Sequence, residues 1–402
     1  MNLATLAIVI ALMLDGTGAG PKPPSPDQQF QALRDAHQAA FDAFVKANRA
    51  AKTPGDEAKV LKHPGRNPRA FAPAFMDLAD KYPGSTAAED ALEWVASHTF
   101  QTVLCEEAKR RLVNDFVRSS KLGPSLGFQG HYGDFFEGSE RFFRKVLEEN
   151  PDHDIQGLAC YWLARRLMHK AEGVRGAKKD PNFGHFGTVD MYKDVYGADW
   201  ADRLRRLVPE ALERDAELLF ERVAKYYADI PHNDKGRNPG PLGDAARAYL
   251  REHRELAVGK PAPEIEGVDL DGEKFRLADY RGKVVVLDFG SHFYCGTCRA
   301  LYPHMRTLTR RLQGRRFSVI SINAEPEKIV KDLKDAWTSE GNTWRCVFDG
   351  TWEGPIQKAW NIQFFPTIYV LDSNGVIRHK NLQEKALDEA VETLLLEAET
   401  TK

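Results

Sequence analysis

Apolar residues recur at helical spacing along the first part of the chain. From Gln28 to about Leu256 they fall three and four residues apart, most clearly in Phe30 to Val45, Phe71 to Leu78 and Ala87 to Ala96. That spacing places the apolar side chains on one face of an α-helix. No strand-like alternation stands out in this region. The pattern therefore predicts an all-α domain over residues 28–256.

One arrangement recurs within the helical region: an amphipathic helix, a turn that contains proline, and an alanine-rich helix. The three copies are Phe75–Pro83 with Thr86–Leu92, Phe142–Pro151 with Leu158–Ala164, and Phe220–Pro231 with Ala245–Leu250. They resemble tetratricopeptide-type helical hairpins, although their prolines are unevenly spaced. A concave surface that binds a protein partner is one interpretation. An irregular bundle that acts as a spacer or oligomerisation unit is the other, and both stay open.

The pattern changes at Val258–Pro263, where short apolar runs begin to alternate with helical segments. Asp271 and Gly272 form a favoured two-residue turn between two short strands. The further predicted strands cover 284–289, 317–323, 344–348, 367–372 and 376–379, and the helices cover 296–312, 325–339, 355–360 and 387–397. Such alternation predicts an α/β domain over residues 257–402, with a mixed sheet and helices on both faces.

The N-terminal segment has the outline of a secretory signal peptide. Met1 to Leu14 is almost wholly apolar, and small residues follow from Gly16 to Gly20. The apolar run is too short to span a bilayer. We therefore expect a leader over residues 1–19, export of the protein, no stable membrane span, and a proline-rich spacer over residues 20–27.

Composition narrows the possible functions. The chain of 402 residues has room for two or three domains, and 56 basic against 58 acidic residues give no global reason to expect a nucleic-acid partner. Five cysteines argue against a fold stapled by disulfides. Cys105, Cys160 and Cys346 lie in apolar helix or strand patterns, which predicts buried, inert thiols.

The remaining two cysteines stand where chemistry is expected. Cys295 and Cys298 follow the buried strand Val284 to Phe289 at the start of a helical pattern. A thiol at a helix N-terminus meets unpaired N–H groups and the positive end of the helix dipole, and both favour the thiolate. Cys295 is therefore predicted to be the nucleophile, and Cys298 to resolve the mixed disulfide that it forms.

Several segments around the cysteine pair resemble one known group of proteins. They are Gly259–Pro263, Leu277–Lys283, Cys295–Cys298, Pro303 and Phe365–Asp372. Together they resemble the TlpA/ResA-like exported disulfide reductases, which have a thioredoxin fold. The resemblance covers about the last third of the chain and implies nothing about residues 28–256.

The resemblance implies roles for two further residues. Pro366 matches the proline that follows a cis peptide bond, faces the cysteines and positions the substrate. Asp288 matches the buried acid that accepts a proton from the resolving cysteine, or it merely ends a strand. The chain departs from the pattern at Tyr294 and Thr297, and one extra residue lies between Asp288 and the first cysteine. Leu301 stands where the group often has glutamate, so a proton relay through that position is not expected.

These observations predict a thiol-disulfide oxidoreductase that reduces protein disulfides without a bound cofactor or metal. Its partners would be a protein client, an upstream electron-donor protein and, if the helical domain has a binding surface, a protein partner of that domain. One alternative is a helical scaffold with a redox-inactive thioredoxin-like domain. Two others are a peroxiredoxin-like peroxidase, although His292 replaces the expected threonine, and a metal site that uses His292 with the two thiols.

Overall fold

The computed structural model describes residues 23–132, 137–179, 195–234, 237–382 and 384–400. The chain divides into two compact units, Met1–Ile230 and Pro231–Lys402. The predicted leader, residues 1–19, lies outside the described residues. So does the first part of the predicted proline-rich spacer.

The first unit is built from helices, which confirms the predicted helical character of this region. Its described helices are α1 (Pro26–Ala50), α2 (Pro54–Leu61), α3 (Ala72–Lys81), α4 (Thr86–His98), α5 (Val103–Asp115), α6 (Gly123–Tyr132), α7 (Glu137–Glu149), α8 (His153–Lys179), α9 (Trp200–Arg206) and α10 (Pro209–Tyr226). Short 3-10 turns at Pro64–Arg66 and Pro68–Ala70 connect α2 to α3.

Hydroxyl side chains define where several of these helices begin. Ser25 forms a capping box with Gln28 at the start of α1. Ser85 and Thr102 cap α4 and α5 through one hydrogen bond each, which their side-chain oxygens accept from a backbone N–H group. Helix α1 starts at Pro26, inside the predicted spacer. Proline is tolerated there because the N–H group that it lacks has no partner within the first helical turn.

Small residues let the helices of the first unit approach closely. Ala87, Ala88 and Ala91 on α4 are fully or almost fully buried. Beside them the rings of Phe75 and Trp94 stack with their centroids 3.9 Å apart. This packing accounts for the alanine-rich pattern, whereas a tetratricopeptide-like arrangement stays a prediction.

The prediction that residues 28–256 contain no strands is wrong. Strands β1 (Pro231–Asp234) and β2 (Arg237–Pro241) pair as an antiparallel hairpin at the start of the second unit. Backbone hydrogen bonds hold this hairpin, and its sequence lacks the alternation of apolar and polar residues that would reveal it. The third predicted helical hairpin is therefore interrupted, and its two helices belong to different units.

The second unit continues as an alternation of helices and strands. Its elements are α11 (Leu242–Glu255), β3 (Glu266–Asp269), β4 (Lys274–Arg276), β5 (Val284–Gly290), α12 (Gly296–Arg311), β6 (Phe317–Asn323), α13 (Val330–Ser339), β7 (Arg345–Phe348), α14 (Pro355–Ala359), β8 (Thr367–Leu371), β9 (Ile377–Lys380) and α15 (Glu384–Thr400). The seven strands β3 to β9 form one sheet in the order β4-β3-β7-β6-β5-β8-β9. Strands β5, β6 and β7 are parallel, and the other neighbouring strands pair in antiparallel fashion.

The central strand β5 is buried on both faces of the sheet. Val284 and Val286 pack in the same apolar cluster as Cys295 and Cys298, whereas Val285 packs in the cluster on the opposite face. Successive side chains of a strand point to opposite faces, which explains why β5 is an unbroken apolar run. The mixed sheet with helices on both faces confirms the predicted α/β thioredoxin-like domain.

The three cysteines outside the pair are buried, as predicted. Burial raises the pKa of Cys160 to about 12 and also raises the pKa of Cys346 well above its ordinary value. Both thiols therefore stay protonated at neutral pH. Among the described residues, no helix is long and apolar enough to cross a membrane.

Candidate active site

The two cysteines of the pair occupy the first turn of α12. Cys295 is the N-cap residue, and its Sγ accepts a hydrogen bond of 3.1 Å from the backbone N–H of Cys298. The two sulfurs form a disulfide, with the Cα atoms 5.3 Å apart. The Oγ1 of Thr297 lies 3.3 Å from the same Sγ and must be the donor, because a disulfide sulfur has no hydrogen. A thiolate formed at Cys295 on reduction would keep both donors.

The two sulfur-bearing residues differ in accessibility. Cys295 is 9% exposed and Cys298 is fully buried. Helix α12 has no acidic residue in its first turn, so no side chain there opposes the positive end of the helix dipole. Access and electrostatics therefore both favour Cys295 as the sulfur that meets a substrate.

Asp288 lies beneath the pair on β5. It is two residues beyond Val286, so it points to the same face of the sheet as the cysteines. The Oδ2 of Asp288 accepts a hydrogen bond of 3.0 Å from Ser321, whose Oγ accepts one of 2.9 Å from the Nε1 of Trp344. Its Oδ1 is buried without a hydrogen-bond partner among the described residues. Burial raises the pKa of Asp288 to about 6.

A glycine lets Asp288 and Cys298 approach the same space. A Cβ atom added at Gly290 would lie 3.1 Å from the Sγ of Cys298 and 3.8 Å from the Oδ1 of Asp288. The unpartnered oxygen of Asp288 and the buried sulfur thus border the same small space beside Gly290. Any larger residue at position 290 would press on that sulfur.

The loop between β5 and α12, residues 291–294, is held by a second buried carboxylate. The Oε1 of Glu325 accepts hydrogen bonds of 2.8 Å from the Oγ of Ser291 and from the backbone N–H of Phe293. The Oγ of Ser291 also accepts one of 3.1 Å from the N–H of Tyr294. Glu325 is fully buried. These bonds fix the segment that contains the extra residue and that leads directly into Cys295.

Removal of the Ser291 hydroxyl should loosen this loop. The Ser291→Ala variant leaves the Tyr294 N–H without its partner and takes one of two donors from Glu325, so we expect a loss of about 1–3 kcal/mol of unfolding free energy. Urea unfolding measures the loss. Ser339→Ala, on the exposed end of α13, is the matched control and should change stability by less than about 0.5 kcal/mol. Equal effects of the two variants would show that the hydrogen bonds of Ser291 contribute nothing to the unfolding free energy.

Exposed aromatic side chains precede both the first cysteine and the cis-proline along the chain. Phe293 and Tyr294, which directly precede Cys295, are 41% and 71% exposed. Phe364, two residues before Pro366, is 50% exposed. The Phe365–Pro366 peptide bond is cis. Phe365 packs against the apolar cluster that contains both cysteines. The structure thus places the Pro366 segment next to the core that carries the disulfide.

His292 packs against an aromatic ring and lies near a carboxylate. It is almost fully buried, and its ring stacks on Tyr302 with the centroids 5.7 Å apart. The Nε2 of His292 lies 3.5 Å from an oxygen of Glu340, and burial lowers the pKa of the imidazole. Within the described part of the chain, no group of three or more His, Cys, Asp or Glu side chains is arranged to hold a metal ion.

Sequence reasoning did not single out Glu325, Ser291, Ser321 or Trp344. Their roles depend on partners more than twenty residues away along the chain. One signal was available for Glu325, since it lies two residues beyond the end of β6, the parallel neighbour of β5. Polar residues at the carboxyl ends of adjacent parallel strands tend to meet at a site.

The fold and the site together define the class. The second unit has a thioredoxin-like sheet, a disulfide across Cys-Gly-Thr-Cys at a helix N-terminus, and a cis-proline segment. These three features make it a dithiol/disulfide domain of the thioredoxin superfamily.

Comparison with known proteins identifies the family. The redoxin family model matches residues 257–395. The thiol-disulfide oxidoreductase ResA of Geobacillus kaustophilus is 30% identical over 131 residues, which cover 32% of this chain and 72% of the relative. The thioredoxin-like protein YneN of Bacillus subtilis is 29% identical over 133 residues, or 33% of this chain and 75% of the relative. The chain therefore belongs to the ResA-type thiol-disulfide oxidoreductases, a family of enzymes.

Solved structures include a protein that is similar to part of this chain. The thioredoxin domain of a thiol-disulfide oxidoreductase from Bacteroides vulgatus is 27% identical and covers 35% of this chain and 99% of that domain, with a TM-score of 0.32. All these matches fall on the last third of the chain.

Proposed function

We propose that the protein reduces disulfides in client proteins through the Cys295/Cys298 couple. The observation that carries the proposal is the placement of the pair, with a partly accessible sulfur at the N-cap of α12 and a buried partner one turn further on. The ResA relatives, named thiol-disulfide oxidoreductases, support this chemistry.

The reaction begins from the reduced dithiol. The Cys295 thiolate attacks one sulfur of a client disulfide, so that a new S–S bond forms and the other client sulfur leaves as a thiolate. Cys298 then loses its proton and attacks the Sγ of Cys295, which releases the second client sulfur. The client gains two electrons and two protons, and the pair becomes the disulfide that the structure contains. An upstream donor dithiol must reduce it again before the next cycle.

Asp288 is the proposed acceptor for the Cys298 proton. Its raised pKa leaves it ionised at neutral pH but much more basic than an ordinary aspartate. Its unpartnered Oδ1 borders the same space beside Gly290 as the Cys298 sulfur, so this oxygen is the proposed place for the proton. Pro366 is the proposed substrate-positioning residue, because Phe365, which precedes it, packs against the apolar cluster that contains both cysteines.

The proposal extends to where the protein acts and to what its helical unit does. The apolar leader over residues 1–19 supports export to an extracytoplasmic compartment, where disulfides occur in proteins. The helical unit, which has no counterpart in the relatives' matched regions, is proposed to bind or position the protein client.

Insulin reduction together with thiol alkylation tests the proposed function. The reduced protein should accelerate the reduction of insulin disulfides, and alkylation of Cys295 across pH should show a midpoint below the ordinary thiol value of about 8.5. Cys295→Ser should abolish the activity, because no accessible nucleophile remains. Equal activity of this variant, or an ordinary alkylation midpoint with no insulin reduction, would favour a scaffold with an inactive thioredoxin-like domain.

A further inference from the structure

A groove of about 520 Å³ lies in the first unit, at the two 3-10 turns that connect α2 to α3. Residues 61–64 and 66–70 line it, together with His98 and Phe100 from farther along the chain. Its volume is within the range of known ligand sites. No acidic residue is among the described residues that line it, whereas three permanent cations are: Lys62, Arg66 and Arg69. It is therefore called the basic groove.

Two prolines and one close backbone contact fix the turns of the basic groove. Pro64 and Pro68 each begin a 3-10 turn, and proline restricts the backbone φ angle at both positions. Gly65 is buried against α1 so closely that a Cβ atom added there would collide with the backbone carbonyl oxygen of Ala40. The groove is therefore formed before any ligand arrives, which lowers the entropic cost of binding.

Two of the cations lack an acidic partner. Lys62 and Arg66 are exposed, and neither forms an ion pair with any described residue. The guanidinium of Arg66 donates one hydrogen bond of 3.3 Å to the backbone carbonyl oxygen of Leu61, which carries no net charge. By contrast, Arg144 and Arg175 in the same unit pair with glutamates. The positive charge of Lys62 and Arg66 is therefore available to an anionic ligand.

The neighbouring side chains add hydrogen-bond donors. The Nδ1 of His63 accepts a hydrogen bond of 3.1 Å from the N–H of Gly65, so the neutral ring carries its proton on Nε2. Arg69 donates one of 2.9 Å to the carbonyl oxygen of Phe100, and its guanidinium lies 4.9 Å from the centre of that ring. A guanidinium presents its N–H groups in a planar fork that matches the two oxygens of a carboxylate. The lining therefore suits carboxylate groups.

Apolar surface accompanies these charges. Leu61 is 58% exposed, and Phe100 is half-buried on the same groove. A polypeptide segment brings apolar side chains beside its carboxylates, whereas a phosphate group would leave this apolar surface in water. A concave groove also fits a chain segment better than the flat surface of a bilayer. With 56 basic against 58 acidic residues, the whole chain has no excess of positive charge that would attract a nucleic acid.

We propose that the basic groove binds an acidic segment of the client polypeptide, whose carboxylates pair with Lys62 and Arg66 while an apolar side chain contacts Leu61 and Phe100. The proposal rests on the proposed role of the helical unit in binding the client, and it assigns the place and the chemistry of that contact. Ion pairs at exposed positions are individually weak and are screened by salt. The binding is therefore reversible, which suits a client that must leave after reduction.

Fluorescence anisotropy with two labelled peptides tests the groove. The peptides have the same length and no cysteine, and glutamate residues among the leucines of the first are replaced by glutamine in the second. The oxidised full-length protein should bind the glutamate peptide saturably and about tenfold more tightly than the glutamine peptide. Raising the ionic strength from about 0.05 M to about 0.3 M should weaken that binding. Equal affinity for the two peptides, or no saturable binding, would overturn the proposal.

Substitution of the two exposed cations locates the binding site. The Lys62→Gln/Arg66→Gln variant should raise the Kd for the glutamate peptide about tenfold. The Lys62→Glu/Arg66→Glu variant should bind a peptide with lysine in place of glutamate. Lys178→Gln/Arg214→Gln removes the same charge from exposed positions of the first unit and should leave the Kd unchanged. Circular dichroism verifies that each variant is folded. A Kd that stays the same in both groove variants would refute the assignment.

The outcomes separate the groove from the disulfide chemistry, because the peptides contain no cysteine. Insulin reduction without peptide binding would overturn the groove assignment alone, and peptide binding without insulin reduction would overturn the redox proposal alone. Vesicles of phosphatidylcholine with phosphatidylglycerol, and a single-stranded oligonucleotide, are tested as competing ligands. If either one binds, loses affinity in Lys62→Gln/Arg66→Gln and is bound in place of the glutamate peptide, the groove serves a membrane or a nucleic acid and the proposal is wrong.

Discussion

The Cys298→Ser variant should stop after one client and accumulate as a mixed disulfide with it. Cys295 keeps its place at the N-cap of α12 and its access to solvent, so attack on a client disulfide proceeds. The resolving sulfur is gone, and the serine hydroxyl that replaces it cannot displace a thiol. Non-reducing electrophoresis and mass spectrometry of the variant with insulin should show one covalent adduct per protein, and catalytic turnover should be lost.

The reverse substitution provides the contrast. In Cys295→Ser the remaining Cys298 is fully buried, so we expect neither adduct nor turnover. Cys346→Ser controls for thiol removal as such, because that thiol is buried and its pKa is raised well above the ordinary value. If an adduct forms equally well in Cys295→Ser, Cys295 is not the nucleophile.

The Asp288→Asn variant should be more stable and less active than the unaltered protein at pH 8. The folded-state pKa of Asp288 is about 6, against an ordinary value of 3.8, because the carboxyl is buried. The folded protein therefore binds this proton more tightly than the unfolded chain, and stability falls as pH rises from about 4 to about 6. A shift of roughly two units corresponds to about 3 kcal/mol lost above that window.

Neutralising the carboxyl should recover most of that loss. Urea unfolding of Asp288→Asn should show a gain of about 2–3 kcal/mol at pH 8 and little change at pH 4, where Asp288 of the folded protein is already almost fully protonated. Turnover should fall by about 100-fold, because the asparagine cannot accept the Cys298 proton. The limb of the pH profile near 6 should be absent.

A surface substitution separates this effect from simple charge removal. Asp335→Asn, on the exposed side of α13, should change stability by less than about 0.5 kcal/mol at either pH. If the stability that Asp288→Asn gains over the unaltered protein is no larger at pH 8 than at pH 4, burial does not raise the pKa of this carboxyl. If turnover is unaffected, another group takes the proton.

Local patterns were enough to predict most of the second unit. The strand at Phe317–Asn323 was predicted with the bounds that the structure shows, and the helix that begins at Gly296 ends only one residue earlier than expected. Such elements are set by nearest-neighbour periodicity and by caps, both of which are written in consecutive residues. The β1–β2 hairpin was missed because its strands carry no periodic apolar pattern.

The sequence by itself determined the thioredoxin-like alternation, the cysteine pair and its place at a helix start. Only the tertiary structure decided what surrounds the pair. Glu325 accepts hydrogen bonds from the loop before Cys295, and Ser321 donates one to Asp288. The physical reason is that burial and hydrogen bonding between residues far apart in the chain depend on how the strands and helices pack, and no local pattern records that packing.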